Sequence, residues 1–147
     1  MSQTIIAPTE YVATHYEGVC RLLEQLTTRH IDFTPEKYQA LIESPCSHLF
    51  LLLCDNHVAG MITVGIYLSP TGSKAWIEDV VVAEDFRGHG FGRMLVAHAI
   101  TDLKQKGVET LMLTSNPKRI AANTLYRSMG FERKETNLYK LVLRTEK

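Results

Sequence analysis

The hexapeptide Arg87-Gly88-His89-Gly90-Phe91-Gly92 sets a cation among three glycines just ahead of an apolar pattern of helical period. A helix start leaves backbone N–H groups without partners, and the macrodipole makes that end positive. Glycines remove the side chains that would hold an anion away. The segment therefore reads as a pyrophosphate cradle. Turn chemistry alone supports a second reading equally well, a tight turn that merely needs positive φ angles. Two nucleotide-binding signatures fail on named residues. A P-loop ends in Gly-Lys-Ser/Thr, whereas Gly92 is followed by Arg93-Met94. The Rossmann fingerprint counted from Gly88 meets Gly90 but then Arg93 in place of its third glycine, and a β-meander precedes the turn.

Two further sets of residues could do chemistry. Glu78 and Asp79 are adjacent acids in a strand, Ile77 to Val82, that otherwise reads as buried. At least one should face a wet cleft. Strand alternation groups Glu78 with Val80 and Val82 on one face, and Asp79 with Ile77 and Val81 on the other, unless a bulge breaks the parity. Asn123 and Tyr126, three apart on a predicted helix, share a face, while Ala121, Leu125 and Met129 form its inward stripe. A core aromatic is the alternative for Tyr126, and helix N-terminal capping the alternative for Asn123. His15, His30, His48, His57 and His98 show no ligand spacing, and no metal is assigned. His89 is read through its backbone, its imidazole solvated. Lys118 and Arg119 either meet phosphate or are simply hydrated.

The elements that must position these residues follow in the order β-α-α-β-β-β-α-β-α-β-β. Thr4 to Ala7 forms a short strand. Thr14 with Glu17 suggests a capping box for a helix carrying Tyr16, Val19, Cys20, Leu23 and Leu26. Thr34 caps a second helix with Pro35 at its first position, ended by Ser44-Pro45. Strands are expected at Leu49 to Cys54, His57 to about Leu68 and Ala75 to Val82. Phe91, Leu95, Ala99 and Leu103 then mark a long amphipathic helix with Lys104 and Lys106 in its last turn and Gly107 at C′. Glu109 to Thr114 is a strand, Pro117 to Met129 a helix closed by Gly130, and Leu138 to Leu143 alternates as a final antiparallel strand should.

The chain has 147 residues, which suits one domain, 1–147, around one core. Its formal net charge of zero gives no global reason to expect nucleic acid or an anionic membrane as partner. No signal peptide and no membrane-spanning run are expected. Cys20, Cys46 and Cys54 lack metal-ligand spacing and read as reduced thiols of a cytoplasmic protein.

The turn resembles the Arg/Gln-x-x-Gly-x-Gly/Ala signature of the GNAT superfamily of N-acetyltransferases, matched by Arg87, Gly90 and Gly92. Ile77 to Val82 is similar to that superfamily's fourth strand. Asn123 to Phe131 resembles its Asn-x-x-x-Tyr-x-x-x-Gly-Phe segment. The resemblance implies a mixed α+β fold, a mostly antiparallel central sheet of about seven strands flanked by about four helices. Acetyl-CoA would lie as donor where two parallel central strands splay, here Ala75–Val82 and Glu109–Thr114. Val80, Val81 and Val82 would contact its pantetheine arm, and Arg87, Gly88, His89, Gly90, Phe91 and Gly92 its pyrophosphate. Asn116 and Asn123 would add cofactor contacts. Tyr126 would be the acid that protonates the departing thiolate. Glu78 would be the base, directly or through water, its alternative being a carboxylate that binds a cation.

The activity so implied is transfer of an acetyl group to a primary amine by direct attack in a ternary complex. A small amine, amino sugar or amino acid is favoured, because no extra substrate domain is expected in so short a chain. Protein or peptide acetylation is the alternative, and a non-catalytic acyl-CoA sensor is a reading from another class. Acceptor contacts are expected from Thr27 to Thr34, Ser69 to Lys74 and Glu132 to Asn137. The edge of a C-terminal hairpin leaves a homodimer open.

Overall fold

The computed structural model describes residues 2–144, which divide into one unit ending at Leu113 and a second beginning at Thr114. The first contains β1 (Gln3–Ile6), α1 (Ala13–Leu26), α2 (Pro35–Glu43), β2 (Ser47–Cys54), β3 (His57–Ser69), β4 (Gly72–Val82), a 3-10 turn at Glu84–Phe86, α3 (Phe91–Gln105) and β5 (Thr110–Met112). The second contains α4 (Ile120–Ser128). The fold is mixed α+β, with four α-helices and one sheet among the described residues, the sheet in the order β1-β2-β3-β4-β5. Pairing is antiparallel from β1 to β4, and β5 joins β4 in parallel.

The unbroken apolar run of β2 arises because both of its faces are covered. Leu49, Leu51 and Leu53 pack with Val58, Met61 and Val81 against Val19 and Leu22 of α1 and Tyr38 of α2. On the other face Phe50 meets the His98 ring of α3 edge-on at 4.8 Å. Leu95, Val96, Ala99 and Leu103 of α3 are all buried, as the four-residue spacing predicts. Burial at both faces of a strand removes the alternation seen in half-solvated sheets.

The helix signals are mostly realised. The Thr34 hydroxyl accepts the Lys37 N–H at 3.2 Å, with Pro35 opening α2. Gly107 takes φ 75°, and the Val108 N–H donates to the Leu103 carbonyl at 3.0 Å, closing α3 as a Schellman motif. The predicted capping box does not form. α1 starts at Ala13, with Val12 as an N-cap that gives no side-chain bond, so Thr14 already lies within the helix. The entry is fixed instead by Val12, whose carbonyl accepts the His15 and Tyr16 N–H groups, and by the Tyr16 hydroxyl, which donates to the Phe33 carbonyl at 2.6 Å.

The strand count is also corrected, to five among the described residues. Leu138 to Leu143 forms no strand. Alternation supplies the side-chain pattern of a strand, but a strand also needs a partner for its backbone. Here Leu138, Tyr139, Leu141, Val142 and Leu143 are all exposed, and the hairpin edge considered for dimerisation is not formed.

Candidate acetyl-CoA site

β4 carries one residue more than its partner. Thr63 stands opposite Glu78 and Met61 opposite Val81, so β3 advances two residues while β4 advances three. The extra residue makes a bulge at Asp79–Val80. Asp79 adopts φ 52°, in the left-handed region that disfavours most side chains and that Asp tolerates better than most. The bulge overturns the predicted grouping of Glu78 with Val80 and Val82. By register Glu78 shares a face with Val81, which packs against α1 and α2, whereas Val82 lies on the α3 side. There a Cβ built on Gly60 would come within 3.5 Å of Val82 Cγ2 and 3.0 Å of Leu95 Cδ1.

The same stretch loses its second neighbour. β5 pairs with Lys74, Ala75 and Trp76 only. From Ile77 to Val82, β4 has β3 as its one strand partner among the described residues. The pairing that exists is anchored at its start by Glu109. Its carboxylate accepts the Ser73 N–H at 3.1 Å, and its own N–H donates to the Ser73 hydroxyl at 3.0 Å. The parallel pairing of β4 with β5 stops at Trp76 and Met112, where β5 ends.

The free edge leads into the glycine turn. Gly88 and Gly90 take φ 86° and 75°, Gly90 as the N-cap of α3, and a Cβ on either would stand in open space. The first intrahelical N–H bond is Met94 to Gly90, so the Phe91 and Gly92 amides belong to the helix's unpaired first turn. Phe91 is buried, its ring 6.4 Å from that of Phe86 and 5.7 Å from that of His89, and this packing fixes the turn. Arg87 folds back, its Nε donating to the Val82 carbonyl at 3.1 Å. Gln25 of α1 steadies the preceding segment by accepting the Glu84 N–H at 2.8 Å.

A cleft of about 470 Å³ opens at the end of α1, lined by Cys20, Glu24, Thr27, Arg29, His30 and Phe33 among others. Thr27 to Thr34 is an expected acceptor segment; Cys20 and Glu24, which line the same cleft, stand on α1 and fall outside that expectation. The neighbouring Cys20 side chain and, second, desolvation push the Tyr16 hydroxyl up to about 12.

In the second unit, Tyr126 is the buried residue of α4, while Ala121, predicted inward, is exposed. Desolvation raises the Tyr126 phenol above its ordinary value, with Arg119 opposing. The Asn123 side-chain N–H₂ donates to the Asn116 carbonyl at 3.0 Å and the Arg119 carbonyl at 2.8 Å. Asn116 Oδ1 accepts the Lys118 N–H at 2.9 Å. Both asparagines thus shape the entry to α4, but Asn123 lies inside the helix and donates to carbonyls, so it is not the N-cap; that position is Arg119, which makes no side-chain cap bond.

A family model described as the acetyltransferase (GNAT) family matches residues 16–131, which hold the bulged strand, the glycine turn and the Asn123–Phe131 segment. The chain belongs to the GNAT family. Curated relatives of this GNAT chain include the ribosomal protein bS18 alanine N-acetyltransferase of Salmonella typhimurium, 35% identical over 54% of this chain and 51% of that one. The chain thus spans about half the length of that relative. The aminoalkylphosphonate N-acetyltransferase of the same organism is 28% identical over 86% of this chain and 82% of its own. Among solved structures, an aminoglycoside acetyltransferase from an uncultured soil metagenomic sample, in complex with sisomicin, shares the fold with a TM-score of 0.81. It is 20% identical, covering 95% of this chain and 96% of that one. No described helix is long and apolar enough to cross a membrane.

Proposed function

We propose that this chain, read as one N-acetyltransferase domain over 1–147, transfers the acetyl group of acetyl-CoA to a primary amine in a ternary complex. The observation that carries the reading is the free edge of β4 from Ile77 to Val82, running into the open glycine turn at the start of α3. An extended pantetheine arm can add to such an edge as a strand would, with Val80, Val81 and Val82 offering backbone groups. The pyrophosphate then reaches the N–H groups from Arg87 to Gly92 at the positive helix end. The family's use of acetyl-CoA supports this donor. Asn123 keeps its side-chain oxygen, and Asn116 its side-chain N–H₂, for further cofactor contacts.

The chemistry asks little of the protein beyond placement, which alone contributes several kcal/mol. An alkyl ammonium must lose a proton before its nitrogen attacks the thioester carbonyl. A carboxylate of the Glu78–Asp79 pair takes it, Glu78 being the one the family resemblance names. The C–N bond forms and the C–S bond breaks. The thiolate then needs a proton, which Tyr126 supplies; burial keeps its phenol protonated. The cleft beside Arg29 and His30 receives the acceptor. Its size suits a small amine, and the relatives that act on aminoalkylphosphonates and carry aminoglycosides agree with that class. A protein N-terminus is the second reading, favoured by the likeness to the bS18 alanine acetyltransferase. We place the enzyme in the cytoplasm, where Cys20, Cys46 and Cys54 stay reduced, and a second copy of the chain is its candidate partner.

The test is calorimetric titration with acetyl-CoA, then thiol release with amines, amino sugars, polyamines and peptides. Absence of acetyl-CoA binding would sink the reading; binding without turnover on any amine would leave only an acyl-CoA sensor.

A further inference from the structure

The resemblance points to Glu78 as base, but the strand geometry separates the two acids. Register gives Glu78 an ordinary place, opposite Thr63 and in line with Met61 and Val81 on the face that packs against α1 and α2. Asp79 is the residue the ladder cannot pair. It is the first residue of the bulge, it holds a left-handed φ of 52°, and it sits where β4 has already lost β5 as a neighbour. No described residue hydrogen-bonds or ion-pairs with its carboxylate, and desolvation raises its pKa even though the residue reaches the surface. A positive φ on a residue with a side chain costs energy that a glycine would avoid. Desolvation of an unpartnered carboxylate adds a second cost, a modest one where the residue is still exposed to solvent. The two costs fall on one residue, at the free edge where the donor is read to lie. Such coincidences of strain and desolvation mark working groups.

We infer that Asp79, rather than Glu78, is the carboxylate that accepts the proton of the acceptor ammonium, an assignment that rests on the transferase reading above. The proton passes from R–NH₃⁺ to the Asp79 carboxylate, directly or through one water, and then to solvent. The freed lone pair forms the C–N bond to the acetyl carbon. Collapse of the tetrahedral adduct breaks the C–S bond, and the second amine proton leaves as the thiolate is protonated. The sum is R–NH₃⁺ plus acetyl-CoA giving the acetamide, CoA thiol and one H⁺, with no other reactant.

Three variants of the full chain separate catalysis from backbone. Asp79→Asn keeps the shape and tolerates a left-handed φ; Asp79→Gly removes strain and carboxylate together; Glu78→Gln is the rival. Acetyl-CoA affinity is measured by calorimetry, and kcat and kcat/KM for the amine that the wild type turns over fastest, across pH. Asp79→Asn and Asp79→Gly should both lower kcat at neutral pH by about a hundredfold. The loss should shrink as pH approaches the amine's own pKa, where a base is no longer needed, and acetyl-CoA affinity should hold. Glu78→Gln should cost less than tenfold and leave the pH profile alone. A wild-type profile in Asp79→Asn, or full activity in Asp79→Gly, would overturn the assignment, as would a larger pH-dependent loss in Glu78→Gln. A wild-type chain that does not bind acetyl-CoA would instead overturn the transferase reading, and this inference with it.

Discussion

The Phe131 N–H donates to the Tyr126 carbonyl at 3.1 Å, and the two rings meet edge-on with centroids 5.9 Å apart. Gly130 between them takes φ 99°, and its own N–H bonds the Arg127 carbonyl at 3.1 Å. This is a Schellman closure in which the ring contact joins C″ to C3. The segment Tyr126 to Phe131 therefore has a structural job independent of any catalytic one, and the two can be pulled apart. Phe131→Ala should cost about 2 kcal/mol in urea unfolding, from lost burial and the lost aromatic pair. Tyr126→Phe keeps the ring and should leave stability within about 0.5 kcal/mol. The same variant should lower turnover about a hundredfold with acetyl-CoA affinity intact. Unchanged turnover would remove Tyr126 from the mechanism while leaving the cap argument standing.

Tyr38 is fully buried, and its hydroxyl has no hydrogen-bond partner among the described residues. It sits in an aromatic cluster, 6.0 Å from the Tyr11 ring, 5.9 Å from that of Tyr16 and 6.2 Å from that of Phe33. An unpaired buried hydroxyl costs roughly 1–3 kcal/mol. Tyr38→Phe should therefore raise stability by about 1 kcal/mol at neutral pH. The pH dependence has a definite sign. Desolvation raises the folded-state pKa of Tyr38 above the unfolded value of about 10. Its neutral form is thus favoured on folding. Stability is full below the unfolded pKa and falls as pH rises through the folded one. Tyr38→Phe should flatten part of that alkaline decline in urea midpoints measured from pH 8 to 11. A parallel decline would show that Tyr38 does not contribute.

α3 was legible because every level agreed. Phe91, Leu95, Ala99 and Leu103 gave the stripe, glycines stood at both ends, and the buried set matches. Thr34 and Pro35 were legible for the same reason. β4 was legible as a strand but not in its phase. A bulge is a relation between two strands, set by how β3 pairs, and the residues Glu78-Asp79-Val80 do not announce it. Asp79 was the one hint, since Asp is among the few side chains that tolerate the left-handed region. Capping at Thr14 failed because the chain enters α1 from Val12 under tertiary contacts that a four-residue motif does not contain. Leu138 to Leu143 failed because pattern is half of a strand and partnership is the other half.

That exposed run gives a prediction about association. Leu138, Tyr139, Leu141, Val142 and Leu143 lie within six residues, all largely in solvent. A contiguous apolar patch of this kind marks an interaction surface more often than a free one. Light scattering over a concentration series should show mass rising above the 16.6 kDa of one chain. Replacing Leu138, Leu141 and Leu143 with Ser should return it to the monomer value. A wild-type chain that stays at one chain's mass throughout would reject self-association.

The glycine turn offers the cleanest separation of folding from donor binding. A Cβ at Gly88 or Gly90 meets no atom within 4 Å, so Ala there disturbs no packing. What it meets is the positive φ, worth roughly 1–2 kcal/mol per position in the free protein. Bound acetyl-CoA changes the balance, because the cradle reading puts phosphate oxygens in that same open space. Gly88→Ala and Gly90→Ala should each weaken acetyl-CoA binding by more than tenfold. Gly107→Ala is the control. Gly107 has φ 75° and open surroundings at the other end of α3, so it should show a similar stability loss with acetyl-CoA affinity unchanged. Calorimetric affinity set beside urea midpoints for the three variants decides the matter. Equal affinities across all three would make Arg87 to Gly92 a turn that needs its glycines for conformation alone.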